Sequence, residues 1–276
     1  MSVRITVLCD NMVGPVGGTL GEHGFAALVE HPGGALLFDT GQGGTLLHNA
    51  RRMGKDLRQV ETVVLSHGHY DHSGGLLPLL QDAGGKRVLA HPAVFAPRYR
   101  VKDTGESTAI GIPATRETLT AAGAVFELTS GYRELTPEIA LTGEVSRVTP
   151  FETGDRGLFI DPRGTTADTI LDDQSLVIRS PKGLVLLLGC CHSGVVNTIE
   201  AARRYTGVQE VYAILGGTHL GFCSLEQLAE TIAILKKNGI RKVCTSHCTG
   251  FPAAARLSRE MPGEFQLAAV GYTLEV

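Results

Sequence analysis

Between positions 67 and 72 the chain reads His67-Gly68-His69-Tyr70-Asp71-His72, three imidazoles and a carboxylate within six residues. Imidazole nitrogen and carboxylate oxygen are the donors that zinc, iron and manganese accept. His67 and His69 alternate along an extended segment and can face one way. The turn that follows lets Asp71 and His72 face a second point, so the segment can serve two cations a few ångströms apart. Three further histidines occur in a matching context, each in a loop that follows an apolar run. Leu186-Leu187-Leu188 leads into Gly189-Cys190-Cys191-His192, Ala213-Ile214-Leu215 into Gly216-Gly217-Thr218-His219, and Val243-Cys244-Thr245 into Ser246-His247. The six-residue segment itself follows Val63-Val64-Leu65. In layered α/β folds, neighbouring strand ends on one edge bring distant loops into one cleft. One shared site is therefore expected.

The elements that must position these loops are legible in the period of the apolar residues. Short runs rich in Val, Ile and Leu alternate with segments of helical period, the pattern of an α/β protein. Residues 3–8 read as a strand, and 25–29 with 35–38 as a hairpin around His31-Pro32-Gly33-Gly34, with Asp39 at its end. Leu46, Leu47, Ala50 and Met53 share a helical face closed by Gly54. Further strands are expected at 62–65, 175–179, 184–188, 211–215 and 242–245. A helix should cover about 195–205 and end at Gly207. Another has the capping pair Ser224 and Gln227, an apolar face at Leu225, Leu228, Ile232 and Leu235, and Gly239 as its stop. The stretch from about 92 to 173 is less regular and reads as a lid of hairpins and loops within a single domain covering 1–276.

Composition narrows the partners. A formal charge of −3 over 276 residues provides no global basic field for nucleic acid. No apolar run approaches the roughly 20 residues needed to span a bilayer, and the first residues lack a signal-peptide pattern, so a cytoplasmic location is expected. The six cysteines do not space as a disulfide framework and are expected to be reduced. The expected partner is a small molecule, with a homo-oligomer allowed.

The segments His67 to Leu76, Gly189 to Thr198, Gly216 to Leu220 and His247 to Gly250 identify the chain as resembling the metallo-β-lactamase superfamily. Within it, they are similar to a subgroup of 7,8-dihydropterin-6-methyl-4-(β-D-ribofuranosyl)-aminobenzene 5′-phosphate synthase-like sequences. The resemblance implies an αββα sandwich with a dinuclear site at one edge of its two sheets. It places His67 and His69 on a first metal, Asp71 and His72 on a second, and His247 closing the second. Many members have Gly-Asp where this chain has Gly189-Cys190, and some lactamases of the superfamily have a cysteine ligand. Cys190 is thus either a thiolate ligand or a buried structural thiol. His192, two residues beyond Cys190, is expected on the first metal, with Asp172 or Asp173 as the fallback.

Resemblance to superfamily nucleases implies for His219 a contact to substrate or transition state. Resemblance to the superfamily as a whole implies for Asp39 a role in orienting a ligand histidine or bracing the loop, with a turn cap as the alternative. Glu22, His23, Asp10 and Asn11 would overhang the cleft, and Arg98, Arg100 and Lys102 would offer lid cations to a phosphate. The cofactors implied are two divalent ions, zinc first, with iron or manganese as alternatives. The default chemistry is attack of metal hydroxide on an ester, lactone, thioester or phosphoester, with Asp71 orienting the nucleophile. The subgroup's reaction is instead pyrophosphate displacement from a dihydropterin-methyl pyrophosphate. Two rival readings are a di-iron redox protein and a catalytically silent, ligand-binding member of the fold.

Overall fold

The computed structural model describes residues 2–276. Two seven-stranded sheets dominate. The first contains β1 (Arg4–Cys9), β2 (Ala26–His31), β3 (Gly34–Phe38), β4 (Thr62–Val64), β5 (Lys86–Ala90), β8 (Ala124–Leu128) and β17 (Thr273–Glu275), in the order β17-β1-β2-β3-β4-β5-β8. The second contains β9 (Arg133–Glu134), β10 (Ile139–Leu141), β12 (Leu176–Ser180), β13 (Gly183–Leu188), β14 (Val211–Gly217), β15 (Lys242–Ser246) and β16 (Phe265–Leu267), in the order β16-β15-β14-β13-β12-β10-β9. A small third sheet joins β6 (Tyr99–Val101) to β7 (Ser107–Ala109) and β11 (Leu158–Phe159).

Side-chain alternation explains how the sheets stack. Ile5, Val7, Phe38 and Val64 of the first sheet meet Leu176, Leu187 and Leu215 of the second in one buried cluster. Their sequence neighbours point outward. Leu8, Leu37, Val63 and Val88 pack beneath α1 (Leu46–Arg52), α3 (Leu76–Ala83) and α4 (Arg116–Ala121). Leu186, Leu188, Ile214 and Val243 pack beneath α5 (Val195–Thr206), α6 (Leu225–Lys237) and α7 (Gly250–Glu260). The result is a helix-sheet-sheet-helix sandwich. It also explains why 184–188 is apolar without alternation, since a central strand covered on both faces has no solvent side. Each fully buried leucine or valine contributes about 1.5–3 kcal/mol of transfer free energy.

The expected helix signals act as read. The Ser224 hydroxyl accepts the Gln227 N–H at 3.1 Å, and Gly207 and Gly239 take the left-handed conformation at φ +72° and +64°. The irregular stretch is narrower than 92–173, because α4, β8 and β10 inside it are parts of the sandwich. Their strands have three to five residues, too short to establish a period. Only the β6-β7-β11 sheet and its flanking loops lie over the strand ends. No helix among the described residues is long and apolar enough to cross a membrane.

Candidate metal centre

Strands β13, β14 and β15 run parallel, with Leu188 beside Gly216 and Gly217 beside Ser246, so their histidine-bearing loops leave one edge together. β4 is parallel to β3 and delivers its own loop, which begins a short helix α2 (Tyr70–Ser73). Gly68 passes so close to the loop at Val94 that a Cβ would lie 2.1 Å from the Val94 carbonyl oxygen. No other residue fits there without moving backbone. Strain collects here as well. Of the five non-glycine residues with positive φ among those described, Asp39, Cys191, His219 and His247 sit at or beside this edge.

The imidazoles are held by their outer nitrogens. Asp39 Oδ2 lies 2.7 Å from His72 Nδ1 and accepts the Ser66 hydroxyl at 2.7 Å, and that hydroxyl lies 2.9 Å from His67 Nδ1. The Ser66 proton goes to Asp39, so Ser66 Oγ accepts Nδ1–H of His67, and Asp39 accepts Nδ1–H of His72. One buried carboxylate thereby sets the tautomer of two histidines. His192 Nδ1 is backed by Asp155 Oδ2 at 2.6 Å, and His247 Nδ1 by Asn11 Oδ1 at 2.7 Å. Four imidazoles thus turn Nε2 inward.

Those inner nitrogens converge at two places. His67, His69 and His192 can bring one ligand nitrogen each within 4.8 Å of the others: His67 Nε2 lies 2.9 Å from His69 Nδ1, and His192 Nε2 is buried without a hydrogen-bond partner. Next to them, His72 Nε2 lies 3.1 Å from Cys190 Sγ and 3.3 Å from His247 Nε2. Asp71 Oδ2 completes this side, 3.3 Å from His247 Nε2 and 3.1 Å from His23 Nε2. Buried polar atoms of this kind are costly unless something accepts their lone pairs. A pair of divalent cations fits these donors.

Charge is organised to match. Burial, reinforced by neighbouring imidazoles, pushes His67 and His69 well below their ordinary value and keeps them neutral, the state a metal requires. Burial also opposes charge on His72, but Asp39 and Asp71 outweigh it and raise it to about 9. The Asp71 carboxyl, though buried, is held well below the carboxylate range by His72, His23 and His247. Burial pushes the Cys190 thiol up.

A family model described as "Metallo-beta-lactamase superfamily" matches residues 20–196, more than half of the chain. The chain belongs to the metallo-β-lactamase superfamily. A 7,8-dihydropterin-6-methyl-4-(β-D-ribofuranosyl)-aminobenzene-5′-phosphate synthase of Methanocaldococcus jannaschii is 27% identical over 98% of this chain and 95% of its own. An uncharacterised protein of the same organism is 29% identical over 86% of this chain and 88% of its own. Among solved structures, a metal-dependent hydrolase of the β-lactamase superfamily superposes with a TM-score of 0.85 at 29% identity, covering 99% of both chains. The sandwich is therefore that of the metallo-β-lactamase superfamily, carrying a His, Cys and Asp cluster that could hold metal.

Several sequence expectations for this superfamily site need correction. Arg98 is not a lid cation facing substrate. It is buried 2.5 Å from Asp172 and 3.4 Å from Asp168, and Asp172 also accepts the Gly68 N–H at 2.8 Å. That pair braces the His67 loop from behind, and Asp172 has no oxygen left to serve as the fallback ligand. Asp173 accepts the Ser193 N–H instead and joins none of the donor clusters. Glu22 does not contact the cleft either, because its carboxylate accepts the N–H groups of Gln42, Gly43 and Gly44. Lys102 is exposed and paired with Glu106. Of the proposed cations, Arg100 alone lines the cleft, with its guanidinium 5.8 Å from the Phe222 ring. Asp10 and Asn11 hold His247 by its N–H and ring.

Two residues of the cluster carry no signal of their own in the sequence. Asp155 also lies 2.6 Å from His219 Nε2, so one carboxylate ties His192 to His219. Although burial opposes its charge, Asp155 is held well below the carboxylate range by His192 and His219. Burial likewise opposes charge on His219, but Asp155 and the Cys248 sulfur together outweigh it and raise it to about 10. Nothing in Gly154-Asp155-Arg156 marks the aspartate, since its partners are 37 and 64 residues away. The second is Cys248, adjacent to His247 and readable only as part of that loop.

Proposed function

We propose that the chain is a dinuclear-metal enzyme acting on a small, phosphate-bearing or pterin-like substrate, by hydrolysis or by displacement of pyrophosphate. The observation that carries this is the common tautomer of His67, His72, His192 and His247. Each has Nδ1 committed to a backing oxygen and presents Nε2 to one of two adjacent points. His67, His69 and His192 would hold one cation, and His72, His247, Asp71 and Cys190 the other. Divalent ions bound there supply Lewis acidity toward a phosphoryl or carbonyl oxygen and acidify water.

The cleft above these residues measures about 500 Å³, the size for a small molecule. Asp71, kept ionised, accepts a hydrogen bond and orients the attacking group, while His23 on its solvent side fixes the carboxylate. His219 carries a proton and has a buried Nδ1 with no partner, which suits donation to an oxygen that gains negative charge. Arg100 at the rim favours a phosphate group. Phe222, 4.8 Å from the His219 ring, offers an aromatic face. The likeness to the Methanocaldococcus jannaschii synthase supports the pyrophosphate branch, and the likeness to the solved metal-dependent hydrolase supports hydrolysis.

The test is to incubate zinc-loaded protein with pterin pyrophosphates, phosphodiesters, lactones and thioesters, following products by mass spectrometry. Metal-dependent turnover of a phosphate-bearing compound is expected, and it should disappear in His67→Ala/His69→Ala. Less than one transition metal bound per chain would refute the reading.

A further inference from the structure

Cys248 is buried one residue beyond His247, at the foot of the same cleft. Its sulfur, the Cys190 sulfur and a His247 ring nitrogen all lie within 4.8 Å of one another. Donors around one tetrahedral zinc, at about 2.3 Å for sulfur and 2.0–2.1 Å for nitrogen, are separated by roughly 3.3–3.8 Å. The contacts of His72 Nε2 with Cys190 and His247, 3.1 and 3.3 Å, extend the cluster on that scale.

The surroundings supply the Cys248 sulfur with a backbone donor. The His219 N–H donates to it at 3.3 Å, from a backbone held at φ +55°. Room is made for it at the end of β14, where a Cβ on Gly217 would lie 2.6 Å from the sulfur. Its own S–H points at the Cys190 carbonyl oxygen, 3.4 Å away, so the two cysteines are held beside each other. A buried thiol kept only for packing needs neither an amide donor nor a neighbouring set of imidazoles.

We infer that Cys248 is a second thiolate ligand that takes the place proposed for Asp71 on this ion. Cys190, Cys248 and His247, with His72 against Cys190 and His247, thus bind a soft divalent ion, zinc in preference to manganese or magnesium, and Asp71 is left to orient the attacking group. The assignment rests on the dinuclear reading of the metal centre. On binding, each S–H bond breaks heterolytically, its proton leaves to solvent and the sulfur donates its electron pair to the ion. Nothing is oxidised. Two sulfurs favour borderline and soft ions over hard ones that prefer oxygen.

The test uses the whole chain loaded with cobalt(II), whose sulfur-to-cobalt charge-transfer band in the near ultraviolet grows with each bound thiolate. The wild-type band is expected at two-thiolate intensity. It should halve in Cys248→Ser, halve in Cys190→Ser and vanish in the double variant. A wild-type band of one thiolate overturns the inference without any variant being needed. So does a full band in Cys248→Ser, or thiol titration of fresh protein showing a Cys190 to Cys248 disulfide. Cobalt bound with a one-sulfur or absent band refutes this inference alone, whereas failure to bind cobalt or zinc at all refutes the metal centre itself.

Discussion

Asp39→Asn is the most informative single change, because one carboxylate backs both metal positions. Asp39 is fully buried and takes three donors, Ser66 N–H, Ser66 O–H and His72 Nδ1, each at 2.7 Å. Asparagine keeps the shape and one acceptor, enough for the Ser66 N–H. Its amide NH₂ would then face the Ser66 hydroxyl and His72 Nδ1, and both must become acceptors. For His72 the proton moves to Nε2. For His67 the Ser66 hydroxyl turns to donate to Nδ1, with the same result. Both inner nitrogens would then point an N–H at the cation positions. Loss of such a backing group lowers metal affinity by about 10–100-fold, equivalent to about 1.4–2.8 kcal/mol. Losing charge-assisted bonds in the interior should destabilise the metal-free protein by about 1.5–3 kcal/mol. Zinc affinity is read by competition with a chromogenic chelator, and stability by urea unfolding of the metal-free chain. A variant that loses stability but binds zinc within twofold of wild type would show that Asp39 braces the loop without setting the tautomers.

Arg98→Ala should destabilise the protein by about 3–5 kcal/mol in urea unfolding, because it strands Asp172 in the interior; a rise in KM with stability unchanged would restore Arg98 as a substrate contact. Asp155→Ala should weaken zinc at the His67, His69 and His192 position by about 10–100-fold, read by chelator competition, and leave the other position close to wild type. The His72 value of about 9 lies above the ordinary 6.5, so its proton competes with metal below that pH. Apparent affinity at the His72 position should therefore climb as pH rises from about 6.5 to 9, with proton release measurable by calorimetry in two buffers; a flat profile with no proton release would contradict it. Gly68→Ala should displace the His67 loop and reduce bound metal measured by elemental analysis, since its Cβ would lie 2.1 Å from a carbonyl oxygen.

The sequence determined what repeats locally. Val63-Val64 and Leu186-Leu187-Leu188 lie in strands because short, branched apolar runs bounded by turn residues are buried as sheet, and the histidines follow because loops leave strand ends. Ser224 and Gly207 bound their helices by hydrogen bonding and φ alone. The donor types at His67, His69, Asp71, His72, His192 and His247 suffice to name metal as the chemistry. What only the tertiary structure decided is which charges meet. Arg98 and Arg100 are alike in sequence, yet one is sealed against Asp172 and the other lines the cleft, because what each meets is set by elements dozens of residues away. Asp155 carries no local signal, since hydrogen bonds across dozens of residues leave no period in the chain, and Cys248 is marked only by its neighbour His247. The tautomers of the ligand histidines belong to the same class. A sequence supplies the imidazoles, but only the placement of Asp39, Asn11 and Asp155 behind them decides which nitrogen keeps the proton and which faces the cation.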